Sequence, residues 1–206
     1  MTLVRRGEEY VIRVDGQDLM GSRQHGSEEA LAKLGCAALA QAAGARVLIG
    51  GLGMGFTMRA ALDALPKDAR VDVAELVPAV VRWNRGPLAH LADRPLDDRR
   101  GHVIEGDVTQ VIARAVNTYD AILLDVDNGP DALTSPTNAR LYGSAGLASA
   151  ARALKARGLF GVWSARDDSR FTARLTRAGF VPRVEQVPAR HGGKKRHVLW
   201  LSLKRG

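Results

Sequence analysis

Four glycines within six positions, Gly50, Gly51, Gly53 and Gly55, interrupt an apolar run (Val47, Leu48, Ile49) and lead straight into the helix-forming segment MRAALDAL. A strand, a glycine turn and a helix in direct succession let backbone pass close to a nucleotide or nucleoside, and they aim helix N–H groups at it. Glu75 closes the next apolar strand, with Leu76 beside it. That is where a carboxylate that accepts hydrogen bonds from ribose hydroxyls is expected, about twenty residues after the glycines. The third strand ends VIEGD and places Asp107 where the exocyclic amine of adenine can donate to it. The same aspartate is suited to cap the helix that opens at Val108. The fourth strand ends ILLDVDNGP and sets Asp125, Asp127 and Asn128 at the centre of the crevice. Ligands of open α/β sheets bind beyond the C-terminal strand ends. One acid there is a weak sign, because such acids often cap helices. Glycine or acid signatures on four successive strands, in order, are a strong one.

The elements that must hold these residues follow from periodicity. Strand patterns at 46–50, 70–75, 102–105, 119–125 and 158–164 alternate with helical patterns at about 55–64, 78–91, 108–116, 137–156 and 168–178. Alternation of this kind implies a parallel sheet covered on both faces. The run Ile122–Asp125 is apolar until its last residue, as a central buried strand should be. Residues 180–188 and 197–203 are two strand patterns with no helix between them, hence an antiparallel pair ending the sheet. Hydride-transferring dinucleotide folds usually continue with parallel strands, so this ending points to the S-adenosylmethionine-dependent methyltransferase fold. In front, residues 8–20 alternate about Asp15-Gly16, a dipeptide typical of a hairpin turn. Ser27 with Glu28 and Glu29 then opens a helix to about Ala43, and Gly44 stops it. The expected architecture is α/β: a Rossmann-like methyltransferase fold with a mostly parallel seven-stranded sheet and a C-terminal antiparallel hairpin. Residues 1–44 form a short front hairpin and helix, and residues 45–206 form the S-adenosylmethionine-binding part.

At 206 residues with 46% hydrophobic and 25% charged residues, the composition is that of an ordinary soluble domain. No N-terminal signal pattern and no apolar run of spanning length occurs, so the expected location is the cytoplasm with no membrane contact. The single cysteine, Cys36, cannot form an internal disulfide, and no cysteine–histidine spacing suggests zinc, so no metal is expected. A net charge of +8 raises the question of nucleic acid. The arginines, however, are scattered over helix faces (Arg152, Arg157, Arg174, Arg177). The one dense patch, residues 190–197, reads as a solvated hairpin tip. The balance disfavours a nucleic-acid partner.

Over most of residues 8–165 the chain resembles the spermidine synthases, the polyamine aminopropyltransferases. The segments that carry the resemblance are VDGQDLM, HGSEEAL, IGGLGMG, VDVAELVPAVV, LDDRRGHVIEGDV, YDAILLDVDNGP, LYG and LKARGLFGVW. The resemblance implies that the glycine loop, the acid after the second strand and the Gly-Asp pair hold the nucleoside of decarboxylated S-adenosylmethionine. These roles fall on Gly51, Gly53, Glu75 and Asp107, with Val108 against the adenine ring. A homodimer is the prior that the family supplies for oligomeric state.

The departures from that pattern redirect the expected chemistry. The family carries an aspartate in the glycine loop beside the cationic aminopropyl end, and this chain has Gly53. The family's Asp-x-x-Asp-Pro segment is shortened here to Asp125-Val126-Asp127-Asn128-Gly129-Pro130. Its polyamine-binding Tyr-His-Glu trio has no clear equivalent in residues 24–28, and the front region is reduced. A polyamine needs several carboxylates to offset desolvation. Intact S-adenosylmethionine instead presents a carboxylate that glycine N–H groups welcome. The leading expectation is a methyltransferase using S-adenosylmethionine on a small-molecule acceptor. Asp125 or Asp127 would be its base, and His25, in the front segment, a second candidate; a structural role for His25 fits its position equally well. Aminopropyl transfer from decarboxylated S-adenosylmethionine is the alternative. A non-catalytic nucleoside-binding protein, and then a nucleic-acid methyltransferase, follow. The residue types of the acceptor-side loops fit many small molecules.

Overall fold

The computed structural model describes residues 1–126, 130 and 140–205. Seven strands make the main sheet: β4 (Arg46–Gly50), β5 (Arg70–Glu75), β6 (Gly101–Glu105), β7 (Tyr119–Leu124), β8 (Leu154–Ser164), β9 (Phe180–Pro188) and β10 (Arg196–Lys204). Their order is β6-β5-β4-β7-β8-β10-β9. The strands from β6 across to β8 run parallel, and β10 pairs antiparallel with both β8 and β9. This is a Rossmann-like methyltransferase sheet with a C-terminal antiparallel hairpin. Successive strands spread outward from β4 in one direction and from β7 in the other. The order therefore reverses between them, and a crevice opens at their C-terminal ends.

Alternation along each central strand builds a core on both faces. Val47 and Ile49 of β4, with Ala121 and Leu123 of β7, enter one apolar cluster with Leu31, Met58 and Leu62. Leu48, Ile122 and Leu124 enter the other with Tyr142, Phe160, Phe171 and Trp200. Helices α1 (Gly26–Cys36), α2 (Phe56–Ala64), α3 (Pro78–Arg85), α4 (Val108–Arg114), α5 (Ser144–Ala153) and α6 (Ser169–Arg177) accompany the sheet, with short 3-10 turns among the connections. In front stands a three-stranded antiparallel sheet of β1 (Thr2–Arg6), β2 (Glu9–Val14) and β3 (Gln17–Gly21). Tyr10 and Ile12 press it onto Met54 of the glycine loop and onto Leu88.

Several element boundaries differ from those the sequence suggests. Strand β1 extends the expected front hairpin to a third strand. Helix α1 ends at Cys36, and Ala37–Leu39 tighten into a 3-10 turn rather than continuing to Ala43. Helix α3 stops at Arg85 because Gly86 and Pro87 follow, and Gly86 N–H bonds back to the Trp83 carbonyl. Strand β8 begins at Leu154, four residues early, with Arg157 at φ 60° and an irregular register against β7. Asp72, in mid-β5, is fully buried. Both of its oxygens are held by arginines, Oδ2 by Arg46 and Oδ1 by Arg70. Arg46 and Arg70 begin their strands, so this cluster lies at the sheet end opposite the crevice.

Candidate functional site

The crevice is a cleft of about 540 Å³ between the strand ends and the front sheet, a size ordinary for a small-molecule site. The strand ends and the turns after them line it with Gly51, Gly53, Ala74, Glu75, Leu76, Val77, Gly106, Asp107, Val108 and Asp125, and Met20, Gln24, Glu28, Trp163, Lys195 and His197 also border it.

The glycine loop is shaped by left-handed backbone: φ is 89° at Gly51, 53° at Gly53 and 87° at Gly55, which favours glycine at all three. At Gly51 a Cβ would lie 2.5 Å from the Asp125 carbonyl oxygen, so β4 and β7 approach too closely for any side chain. At Gly53 a Cβ would meet only the thioether end of Met20, at 3.0 Å. Gly50 and Gly55 stand behind the cleft wall. The Gly50 carbonyl accepts from Asp125 N–H at 2.9 Å, and Gly55 caps α2 while packed on Asn84 and Pro95. Asn84, buried on α3, donates from Nδ2 to the Gly53 carbonyl at 2.8 Å and to the Val80 carbonyl at 3.0 Å. It pins the loop to its helix.

The acids sit where the strand ends put them. Glu75, largely buried, accepts from Leu52 N–H on Oε2 (2.9 Å) and from Val77 N–H on Oε1 (2.8 Å). An ionised carboxylate has about four acceptor positions. The two backbone donors fix its plane and leave a lone pair on each oxygen. Asp107 caps α4: its Oδ1 accepts from Thr109 N–H at 2.8 Å, which leaves Oδ2. Leu76 is 63% exposed and Val108 is buried, and both line the cleft. Asp125 accepts from the Thr57 hydroxyl on Oδ2 at 2.6 Å. Burial pushes the Asp125 carboxyl above its ordinary range, against the lowering effect of that hydrogen bond. Asp127 lies outside the described residues.

His25 is not brought into the cleft. Its ring stacks on Phe56 at 4.2 Å between centroids, and Nδ1 lies 2.7 Å from Glu29 Oε1. Front-region acids that do line the cleft are Glu9, Asp18 and Glu28, and of these Glu28 is the buried one. Burial pushes its carboxyl up, the nearby Asp125 charge adds to the rise, and a hydrogen bond from Ser27 opposes it. The Ser27 hydroxyl, fully buried, donates to Glu28 Oε2 at 2.7 Å and accepts from Trp163 Nε1 at 3.0 Å, and it lies 2.9 Å from His197 Nδ1. Burial, and then the Lys195 charge, lower the His197 pKa to about 4, so its imidazole is neutral near pH 7. Two carboxyl groups that each resist ionisation thus line one cleft from segments far apart in the sequence. Such a pair can take a proton from a reacting group or offset a cationic one. The sequence pointed to Asp125. It gave no sign of Glu28, Thr57, Asn84 or His197, whose roles depend on contacts between distant segments.

No family model matches the chain, and no curated protein sequence matches it. Solved structures do match, and they identify the fold as spermidine-synthase-like, within the class I methyltransferase-like group. The spermidine synthase from Thermotoga maritima superposes with a TM-score of 0.74 at 21% identity, covering 95% of this chain and 65% of its own. A spermidine synthase in complex with the transition-state analogue AdoDATO gives 0.76 at 19% identity, covering 95% and 66%. A structure from Klebsiella pneumoniae carrying an O-methyltransferase assignment gives 0.59 at 18% identity, covering 87% and 80%. The chain therefore spans just under two thirds of the length of those two spermidine synthases. These relatives are transferases. Among the described residues no helix is long and apolar enough to cross a membrane.

Proposed function

We propose that the cleft binds S-adenosylmethionine and that the protein transfers its methyl group to a small-molecule acceptor. The observation that carries this reading is Gly53. It lines the cleft at φ 53° with only Met20 against the place of a Cβ, so the loop offers backbone N–H groups and no acid where the amino-acid end of the ligand would lie. The rest of the site fits an adenosyl group. Glu75 keeps one lone pair per oxygen for the two ribose hydroxyls, Asp107 Oδ2 can accept from the adenine amine, and Leu76 and Val108 supply apolar flanks. When bound, the sulfonium supplies an activated methyl carbon. The protein's part is then mainly alignment of the acceptor in line with the carbon–sulfur bond. A protonated amine or a hydroxyl acceptor must lose a proton. Asp125, which accepts from the Thr57 hydroxyl, is the candidate to take it, with Glu28 close enough to feel its charge.

A second reading, aminopropyl transfer from decarboxylated S-adenosylmethionine, is favoured by one observation. Glu28 sets a further acid near Asp125 in the cleft, and a cationic ligand would draw both into the ionised form. The variant Gly53→Asp separates the two readings. Aspartate tolerates this left-handed φ better than most residues, and the flexible end of Met20 can yield. A carboxylate near that of S-adenosylmethionine should weaken its binding by on the order of 2 kcal/mol, about thirtyfold in Kd. Binding of the decarboxylated form should hold or tighten. Equal loss for both ligands would remove the basis for the methyl reading.

A further inference from the structure

Outside the cleft, the fold assembles a donor set that no sequence spacing announces. His25 just before α1, Glu29 on its first turn and His191 in the turn between β9 and β10 each offer one ligand atom, and these atoms lie within 4.8 Å of one another. Glu29 Oε1 is 2.7 Å from His25 Nδ1, and Glu29 Oε2 is 3.2 Å from His191 Nε2. We infer that His25, Glu29 and His191 form a binding site for a borderline transition-metal ion such as Zn²⁺.

Backbone contacts set the separation of the three side chains. Gly26 N–H donates to the Ala189 carbonyl at 3.0 Å, and a Cβ at Gly26 would lie 3.1 Å from Arg190 Cα, so the two segments touch main chain to main chain. Stacking on Phe56 and the edge contact with His191 fix the plane of His25 before any ion arrives. Two imidazoles and one carboxylate suit Zn²⁺, Co²⁺ or Ni²⁺ rather than the hard, oxygen-seeking Mg²⁺ or Ca²⁺. Ligand atoms on a tetrahedral ion with bonds of about 2.0 Å stand about 3.3 Å apart. The exposed His191 has the freedom to close the remaining gap. Lys33, which shares Glu29 Oε2 at 2.9 Å, swings into solvent when the ion takes that oxygen, and water completes the coordination. The site bridges the segment carrying Gln24 and Glu28 to the turn leading to Lys195 and His197, all of which line the cleft. A bound ion therefore fastens two parts of the cleft wall together.

The test is calorimetric titration of the 206-residue protein, free of any affinity tag, with ZnCl₂ at neutral pH, beside His191→Ala and Glu29→Gln. His191 is exposed, so its variant folds, which circular dichroism verifies. The wild type should bind one equivalent saturably, and either variant should lose at least about tenfold in affinity. With Co²⁺ in place of Zn²⁺, visible d–d absorption bands should form in the wild type and vanish in His191→Ala. Absence of saturable Zn²⁺ binding, or binding that is unchanged in His191→Ala, would overturn the site and leave a hydrogen-bonded clamp.

Discussion

Replacing Glu28 with Gln should make the protein less sensitive to rising pH. Glu28 is buried, and its carboxyl is raised from 4.5, first by burial and then by the Asp125 charge. Below pH 4.5 the folded and unfolded chains both carry the proton, and it makes no difference to stability. Above that, the unfolded chain releases the proton while the folded protein keeps it, so stability falls with pH until the folded form ionises too. One proton gives a slope of at most about 1.36 kcal/mol per pH unit, so at most about 2.7 kcal/mol between pH 5 and pH 7. In a chain of this size that is a Tm change of roughly 5 to 10 °C. Glutamine keeps the shape, accepts from Ser27 and has no proton to lose. Thermal unfolding of both proteins followed by circular dichroism from pH 5 to pH 8 should show the Tm advantage of Glu28→Gln growing with pH. Other titrating groups cancel in the difference between the two curves. A Tm difference independent of pH would refute the raised carboxyl and, with it, the acid pair in the cleft.

Other perturbations have distinct signatures. Gly51→Ala combines left-handed strain of about 1–2 kcal/mol with a main-chain clash at Asp125, whereas Gly44→Ala, at φ 61° with nothing within 4 Å, meets strain alone. Thermal melts should place Gly51→Ala several degrees below Gly44→Ala, and equal Tm values would contradict the close approach of β4 and β7. Thr57→Val removes the hydrogen bond that lowers the Asp125 pKa, so the acid limb of a transfer rate profile should move to higher pH. An unmoved limb would take Asp125 out of the proton-accepting role. Asp72→Asn breaks the pairing with Arg46 and Arg70 at the far end of the sheet. It should cost about 2 kcal/mol in urea unfolding while leaving nucleoside affinity unchanged.

What the sequence makes legible is local. The glycines after β4 are required by backbone angle and close approach, and both requirements write themselves into residue type. The acids at the ends of β5 and β7, and the one capping α4, follow from strand register alone, and the final antiparallel hairpin follows from two strand patterns without a helix between them. What stays hidden depends on contacts between distant segments. Glu28 looks like an ordinary first-turn acid of α1, and only folding sets it against Asp125. His25 precedes the same helix and looks equally available, yet Phe56 and Glu29 draw its ring out of the cleft. His191 sits in a basic tip that reads as solvated, and its meeting with His25 needs β10 folded back beside α1. Boundary differences have local causes that periodicity overlooks. Gly86-Pro87 ends α3 early, and the helix-compatible residues Lys155 and Arg157 fall within β8, between the pairings of Leu154 and Leu159 with β7. Strand β1 is short and rich in arginine, so its partner strand defines it.

Calorimetric titration of the unmodified protein with S-adenosylmethionine, its decarboxylated form and methylthioadenosine addresses the proposed ligand itself. A loop with glycine at position 53 and no acid should bind S-adenosylmethionine most tightly of the three. Tighter binding of the decarboxylated form would contradict methyl transfer, and no binding of any of them would contradict both transferase readings of the cleft.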